Sequence, residues 1–88
     1  MPNATVRVLF FARYAELVGR PEAEISTTLP ATVRDIVRRV RTELPGGNAI
    51  PERPLAALNL KHVNLDTPVS DGDEVALLPP IAGGRDAV

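Results

Sequence analysis

The sequence predicts one α+β domain, in which a mixed β-sheet packs against a single main helix. Segments with the two-residue period of strands lie near both ends of the chain, and one segment with the period of a helix lies between them. The 88 residues are too few for two independent cores, and no repeat, low-complexity tract or linker divides them.

The first predicted strand lies near the N-terminus and has apolar residues on both faces. Val6, Val8 and Phe10 recur at every second position, so we expect them to line the core. The other face ends in Leu9 and Phe11, where a solvent-facing strand would carry polar side chains. Either the chain's own structure covers this face or Phe11 contacts a partner.

A short helix and a second strand are predicted to follow. Residues 12–18 contain good helix formers and end at Gly19, which suits a helix C-cap. Residues 23–29 have strand propensity, and this strand must end before Pro30 because proline cannot donate to a sheet ladder.

The main helix is predicted to begin after Thr32. Thr32 and Asp35 have the spacing of a capping box, in which the threonine oxygen accepts a hydrogen bond from a free backbone N–H. The residues beyond this cap recur at helical spacing and predict one buried stripe. That stripe consists of Val33, Ile36, Val37, Val40 and Leu44.

Three arginines lie on the opposite side of this helix. They are Arg34, Arg38 and Arg41. An acidic partner is one interpretation of this basic stripe. We adopt the other, a solvated helix face on which Asp35 and Arg39 pair one turn apart.

The second half of the chain is predicted to return to strands. Residues 45–48 stop the helix, because proline cannot continue it and glycine tolerates left-handed geometry. Strands are then expected at residues 55–60, 63–64 and 74–78, the last after a turn at 69–73. If the first two strands form a hairpin and the last strand returns beside the first, these elements make a β-grasp fold.

Composition and charge exclude several classes of function. A net charge of −1 and a pI near 5.7 lack the positive field on which nucleic-acid binding relies. The apolar run 8–12 is too short for a membrane span or a secretory signal, which predicts a cytoplasmic protein without a membrane partner. Without cysteine there is no disulfide, no thiolate metal site and no cysteine nucleophile.

Side chains suited to catalysis or metal binding are nearly absent from the sequence. His62 is the single histidine and no serine or threonine has a histidine base beside it, so neither a triad nor a histidine metal cluster is expected. Asp71, Asp73 and Glu74 surround Gly72 without the ligand spacing of a calcium loop, and we interpret them as an acidic hairpin turn. We therefore expect no metal, no bound cofactor and no enzymatic activity from the chain itself.

The unusual feature is the end of the chain. Pro79 and Pro80 cannot donate to a sheet ladder and keep the backbone extended, so an arm is predicted to project from the domain. Ile81 and Ala82 lead to a diglycine, Gly83–Gly84, which is narrow enough to enter a channel and bring a backbone acyl group to another protein. The alternative is a frayed tail without function.

These residues resemble the ubiquitin-like sulfur carriers, and among them the small subunits of molybdopterin synthase. The resemblance spans nearly the whole chain and is carried by residues 6–12 with 16–19, by 57–59 and above all by 71–84, where a Gly-Gly pair follows the last strand. The paired prolines Pro79–Pro80 favour this branch over the carriers of thiamin and cysteine synthesis.

The resemblance implies a carrier that performs no catalysis. The carboxylate of Gly84 would be adenylated by an activating enzyme that consumes ATP, and then converted to a thiocarboxylate. The tail would enter the large subunit of molybdopterin synthase and deliver sulfur to cyclic pyranopterin monophosphate, in molybdenum cofactor synthesis. An exposed apolar patch near the tail is also implied, to which Phe11 and Leu78 correspond. His62 stands at a third patch position, where relatives carry an apolar residue.

On this basis residues 1–82 form the carrier domain with its arm, 83–84 the reactive tip and 85–88 an extension. A carrier of this family normally ends at its second glycine, and an amide from Gly84 to Arg85 cannot be adenylated. Either a protease removes residues 85–88 or this chain is inactive as a carrier, and the resemblance implies that a processing metalloprotease removes them. The alternatives are a carrier for another pathway and a β-grasp binding module whose tail never reacts.

Overall fold

Five strands, two helices and one turn of 3-10 helix build residues 2–80, the part of the chain that the computed structural model describes. The elements are β1 (Asn3–Phe10), α1 (Arg13–Val18), β2 (Glu22–Thr28), α2 (Val33–Glu43), the 3-10 turn (Gly47–Ala49), β3 (Leu55–Leu58), β4 (Lys61–Val63) and β5 (Glu74–Leu78).

The strands form one mixed sheet in the order β2-β1-β5-β3-β4. β1 pairs antiparallel with β2 and parallel with β5, and β3 pairs antiparallel with both β5 and β4. The first two strands therefore form a hairpin, α2 carries the chain across the sheet, and the last strand returns beside the first. This topology confirms the predicted α+β, β-grasp fold.

The core lies between α2 and one face of the sheet. On β1 the alternate residues Val6, Val8 and Phe10 are buried, as their two-residue period predicts. The apolar stripe of α2 is also buried at four of its five positions, and Leu44 is half-buried against the same core. The fully buried large side chains are Ile25, Ile36, Ile50, Leu77, Val6, Val8, Val33, Val37, Val40 and Val75.

The predicted capping box begins α2. The backbone N–H of Asp35 donates to Oγ1 of Thr32 at 3.4 Å, and the backbone N–H of Thr32 donates to Oδ2 of Asp35 at 2.9 Å. Two N–H groups that the helix leaves without partners are thereby satisfied.

The ion pairs on the exposed side of α2 differ from the predicted Asp35–Arg39 pair, which is wrong. Asp35 pairs with Arg38 at 3.6 Å, while Arg39 pairs with Glu43 at 2.7 Å. Because Oδ2 of Asp35 is held by the cap, Oδ1 faces the nearer arginine, and Arg39 reaches forward along the helix instead. The other two arginines of the basic stripe pair across loops, as Arg34–Asp66 at 2.9 Å and Arg41–Glu52 at 3.7 Å.

The strand boundaries on either side of residues 59–60 also differ from the prediction, and β2 lies one residue earlier than predicted. The third strand ends at Leu58 because Asn59 and Leu60 have φ angles of 50° and 75° and form the loop of a hairpin. The fourth strand accordingly begins at Lys61, earlier than the predicted Val63. A two-residue loop with positive φ cannot be distinguished from a continuing strand by hydrophobic period alone.

Gly46 and Gly47 serve packing as well as the turn after α2. A Cβ atom on Gly46, whose φ is +79°, would collide with the carbonyl oxygen of Leu17 on α1. A Cβ atom on Gly47 would collide with the carbonyl oxygen of Val40 on α2. The loop can therefore lie directly on both helices only because it carries no side chains there.

Candidate functional site

The sheet face turned away from α2 carries an apolar surface made by three neighbouring strands. Leu9 of β1 lies opposite Ala76 of β5, and Ala76 in turn lies opposite Ala57 of β3. Two residues after Ala76, at the end of β5, Leu78 lies opposite Leu55 of β3. We name this surface the outer apolar patch. It consists of Leu9, Phe11, Leu55, Ala57, Ala76 and Leu78.

The patch is open to solvent within residues 2–80. Phe11 is 46% exposed and Leu55 is 47% exposed, whereas the large apolar side chains of the opposite face are buried. Leu9, Ala76 and Leu78 are half-buried, and the small side chain of Ala57 is buried. Of the two alternatives for the second face of β1, coverage by residues 2–80 is therefore excluded, and the exposed patch fits a partner surface.

Phe11 is positioned by a sharp turn between β1 and α1. Its N–H donates to the carbonyl of Leu77 at 3.3 Å, which keeps it beside β5, and Ala12 then reverses the chain with a φ of 52°. The carbonyl of Phe11 accepts from the N–H of Tyr14 at 3.0 Å. Tyr14 is anchored in the core, where burial raises the pKa of its hydroxyl. The exposed ring of Phe11 is thus carried by a backbone that is fixed on both sides.

Charged and polar residues border the patch. Arg7 lies between Glu24 of β2 and Glu74 of β5 in the sheet register, and its guanidinium is 3.6 Å from the Glu74 carboxylate. On the other border, His62 of β4 lies opposite Ala57 and is exposed. An apolar centre with a polar rim is typical of a protein–protein interface.

The acidic residues near β5 hold a turn together. Oδ1 of Asp71 accepts from the N–H of Thr5 at 2.7 Å, and Oδ2 of Asp73 accepts from the N–H of Ser70 at 2.7 Å. Gly72, with φ of +85°, donates its N–H to the carbonyl of Thr5 at 2.9 Å. This is the acidic turn that the sequence predicts, and its carboxylates are used by backbone donors.

The described residues show neither a metal-binding cluster nor a membrane-spanning helix. Within residues 2–80, no group of three or more His, Cys, Asp or Glu side chains is placed to hold a metal ion. Among the helices of the same residues, none combines the length and the apolar character needed to cross a bilayer.

The structure brings together several of the predicted site residues. Phe11 and Leu78 lie in one patch, and His62 lies at its border, one row further from the tail. Pro79 is half-buried and Pro80 is exposed, directly after β5. The remaining predicted tail residues, Ile81, Ala82, Gly83 and Gly84, lie outside the described residues, as does the extension 85–88.

Sequence reasoning did not assign Leu55 and Ala76 to the patch. Ala76 follows the alternating burial of β5, which is the signal that could have found it. β3 is apolar at all four positions and its burial does not alternate, so its sequence gives no such signal for Leu55. Which side of β3 faces outward depends on its pairing with β5.

Comparison with known proteins identifies the family. A sequence profile of the ThiS family matches residues 8–84. The chain belongs to the ThiS family. This assignment confirms the resemblance to the ubiquitin-like sulfur carriers that the sequence indicates.

Two curated relatives of this ThiS family member cover nearly all of it. The "Molybdopterin synthase sulfur carrier subunit" of Escherichia coli (strain K12) is 38% identical over 81 residues, which span 90% of this chain and 99% of the relative. The protein of the same name from Homo sapiens is 30% identical over 87 residues, spanning 96% of this chain and 99% of the relative.

Solved structures agree with the fold. A chain from the complex of subunits 1 and 2 of molybdopterin-converting factor from Helicobacter pylori 26695 has a TM-score of 0.63 at 30% identity, covering 91% of this chain and 99% of that chain. SAMP1 from Haloferax volcanii has a TM-score of 0.79 at 24% identity, covering 92% of this chain and 100% of that chain, and this likeness shows the fold alone.

Proposed function

We propose that this chain is the sulfur carrier subunit of molybdopterin synthase, with the Gly83–Gly84 pair as its reactive tip. The observation that carries the proposal is the position of the outer apolar patch at the end of the sheet where the chain leaves for the diglycine. Relatives of matching length that are named as this subunit support the same function.

The patch and the tail are coupled by the geometry of β5. Leu78, the last residue of β5, lies opposite Leu55 in the patch and is followed at once by Pro79 and Pro80. A partner that covers the patch therefore holds the base of the arm. Because proline restricts the backbone, the arm loses less conformational entropy when it enters a channel than a flexible tail would.

The proposed chemistry takes place on the backbone of Gly84. A carboxylate oxygen attacks the α-phosphorus of ATP on an activating enzyme and releases pyrophosphate, which leaves an acyl adenylate. A sulfide-level sulfur donor then displaces AMP and forms the thiocarboxylate. Sulfur passes from there to cyclic pyranopterin monophosphate in the large subunit. Because the sulfur is held on an acyl group, a chain without cysteine can carry it.

The chain itself acts as a carrier, and its partners supply the catalysis. In the described turn, the carboxylates of Asp71 and Asp73 are bound to backbone N–H groups. The large synthase subunit is the proposed principal partner. The similar chain from the complex of subunits 1 and 2 of molybdopterin-converting factor supports this proposal. The patch would be used in turn by the activating enzyme and by the large subunit, since both must hold the same arm.

The residues after Gly84 require a processing step. Gly84 is joined by an amide to Arg85, and an amide offers no carboxylate for adenylation. We propose that a metalloprotease hydrolyses this bond and frees the Gly84 carboxylate. The domain boundaries follow, with residues 1–82 as carrier and arm, 83–84 as tip and 85–88 as the removed extension.

Mass spectrometry of the C-terminus tests the chemistry directly. The chain ending at Gly84 is incubated with the activating enzyme, ATP and a sulfide donor, and the expected product gains the mass of sulfur in exchange for oxygen. The full 88-residue chain is the control and should remain unmodified without the protease. If the trimmed chain never acquires sulfur, the carrier function is wrong and the β-grasp binding module is favoured.

Sulfur transfer tests the pathway and the glycine tip together. The thiocarboxylated chain should convert cyclic pyranopterin monophosphate with the large synthase subunit, whereas transfer only to thiamin or cysteine synthesis enzymes would assign another pathway. The variant Gly84→Ala should fold normally but fail to deliver sulfur, because its added methyl group obstructs a channel shaped for glycine. Unaltered delivery by this variant would contradict the threading of the tip.

A further inference from the structure

The hairpin between β3 and β4 presents Leu60 to solvent. Leu58 pairs with Lys61, so the loop contains only Asn59 and Leu60. The side chain of Leu60 is 87% exposed, far more than Phe11 or Leu55. Its exposure alone would be unremarkable, because single surface leucines are common.

The backbone at Leu60 makes this residue unusual. Both loop residues have positive φ, 50° for Asn59 and 75° for Leu60, as in the two-residue turns that favour Asn followed by Gly. Asn59 suits its position, whereas Leu60 occupies the one where glycine is free of steric conflict. Since most of the Leu60 side chain is in water, little packing within residues 2–80 offsets this conflict.

The loop is also held firmly to the start of β5. The N–H of Asn59 donates to the carbonyl of Glu74 at 2.8 Å, and the N–H of Glu74 donates to Oδ1 of Asn59 at 3.0 Å. Nδ2 of Asn59 donates to Oδ1 of Asp73 at 3.0 Å. Leu60 is therefore displayed by an anchored turn, so little loop entropy would be lost when a partner binds it.

We propose that Leu60 is an apolar anchor that inserts into an apolar recess of the large synthase subunit. This inference rests on the proposed function. The hairpin adjoins the outer apolar patch, because His62, which borders that patch opposite Ala57, lies only two residues after Leu60. Leu60 lies at the opposite end of the sheet from Pro79, so the contact with the large subunit extends along the whole of β3. A strained residue retained without a packing benefit is expected where function requires its side chain.

Binding and stability should respond in opposite directions when Leu60 is replaced. In the full chain, Leu60→Gly and Leu60→Asn both suit positive φ and both remove the apolar side chain. We expect calorimetric titration with the purified large subunit to show about fivefold to twentyfold weaker binding for each variant. Thermal unfolding should show a higher Tm for Leu60→Gly. Leu60→Met should bind like the parent chain, because methionine keeps an apolar side chain of similar size at this position.

Two further variants separate this inference from the proposed function. Phe11→Asp disrupts the outer apolar patch, and Thr42→Ala changes an exposed residue of α2 on the other side of the molecule. If Phe11→Asp weakens binding while both Leu60 variants bind like Thr42→Ala, the anchor is refuted and the proposed function stands. If Leu60→Gly loses stability together with affinity, the role of Leu60 is structural and the anchor is refuted. If neither the parent chain nor its form ending at Gly84 binds the large subunit, both proposals fail.

Discussion

The two faces of the sheet use the same kind of side chain for different purposes. On β5, Leu77 faces α2 and is fully buried, whereas its neighbour Leu78 faces away and remains half-exposed. The same contrast occurs at the end of β1. Phe10, its last residue, is buried, whereas Phe11, which follows it, is 46% exposed. The inner residues lose contact with water when the chain folds, and under the proposed function the outer ones lose it when a partner binds.

This difference teaches that apolar residues on both faces of a strand need not mean a strand buried on both faces. A strand covered on both sides is typically a continuous apolar run, and residues 8–11, at the end of β1 and just after it, fit that description. Within residues 2–80, only the inner face is covered by a helix. Under the proposed function the contrast between the faces is one between folding and recognition, and it can be tested residue by residue.

The largest expected effect separates Leu77 from Leu78. Leu77→Ala leaves a cavity between the sheet and α2 and should lower the free energy of unfolding by about 2–5 kcal/mol. Leu78→Ala removes a half-exposed side chain and should cost less than about 1 kcal/mol, yet weaken binding to the large subunit. Urea unfolding of both variants measures the difference. Equal losses of stability would show that the outer patch belongs to the core.

The second effect concerns the close approach of the 46–47 loop to the helices beneath the inner face. Gly46→Ala places a Cβ against the Leu17 carbonyl at a φ of +79°, so we expect a loss of about 2–3 kcal/mol.

Gly72→Ala is the matched control for this prediction. Its φ is +85°, but no atom lies within 4 Å of the added Cβ, so only the backbone cost of about 1 kcal/mol should appear. Thermal unfolding of the two variants sharpens the comparison, because the same substitution is made with and without a packed neighbour. A cost at Gly72 as large as that at Gly46 would assign the whole effect to the backbone.

A smaller effect is expected at the start of α2. Thr32→Ala removes the side-chain acceptor for the N–H of Asp35 and should cost about 1 kcal/mol. Thr32→Ser keeps the hydroxyl and should restore most of the stability. Because this cap lies on the helix side of the sheet, we expect unchanged affinity for the large subunit, measured by calorimetric titration. A loss of affinity in Thr32→Ala would extend the binding surface to α2.

The smallest effect is the pH dependence that Tyr14 contributes. Burial raises the pKa of Tyr14 above its ordinary value of 10.0, so the folded state holds the phenolic proton more tightly than the unfolded state. The resulting stability is present in full below pH 10 and is lost as the pH rises through the folded pKa. Tyr14→Phe should show a shallower alkaline loss of stability in denaturant unfolding series at successive pH values. Identical pH profiles for the two chains would contradict this.

Local elements were predictable from the sequence to different degrees. α2 was predicted nearly to the residue, because its helical stripe and its cap at Thr32 depend only on neighbours within a few positions. The hairpin loop at Asn59–Leu60 was missed, because Leu60 occupies a turn position where glycine is the usual signal. The Asp35–Arg39 pair was also wrong, because the cap engages the Asp35 carboxylate in a way that spacing alone does not reveal.

The candidate site was predicted in part. Phe11 and Leu78 were identified and lie together, whereas Leu55 was missed although it is as exposed as Phe11. Leu55 and Leu78 are far apart in sequence and become neighbours only when β3 pairs with β5. No local pattern in either strand specifies that register.

By itself the sequence determined which residues can be buried, where α2 begins, and that the last strand must stop at Pro79, because periodicity, capping and proline stereochemistry act over a few residues. Only the tertiary structure decided which of two apolar faces meets α2 and which stays open. It did so by inserting β5 between β1 and β3, which assembles the outer apolar patch beside Pro79 and Pro80. Hydrogen bonding between strands distant in sequence, together with coverage by one helix on one side, is the physical reason for that choice.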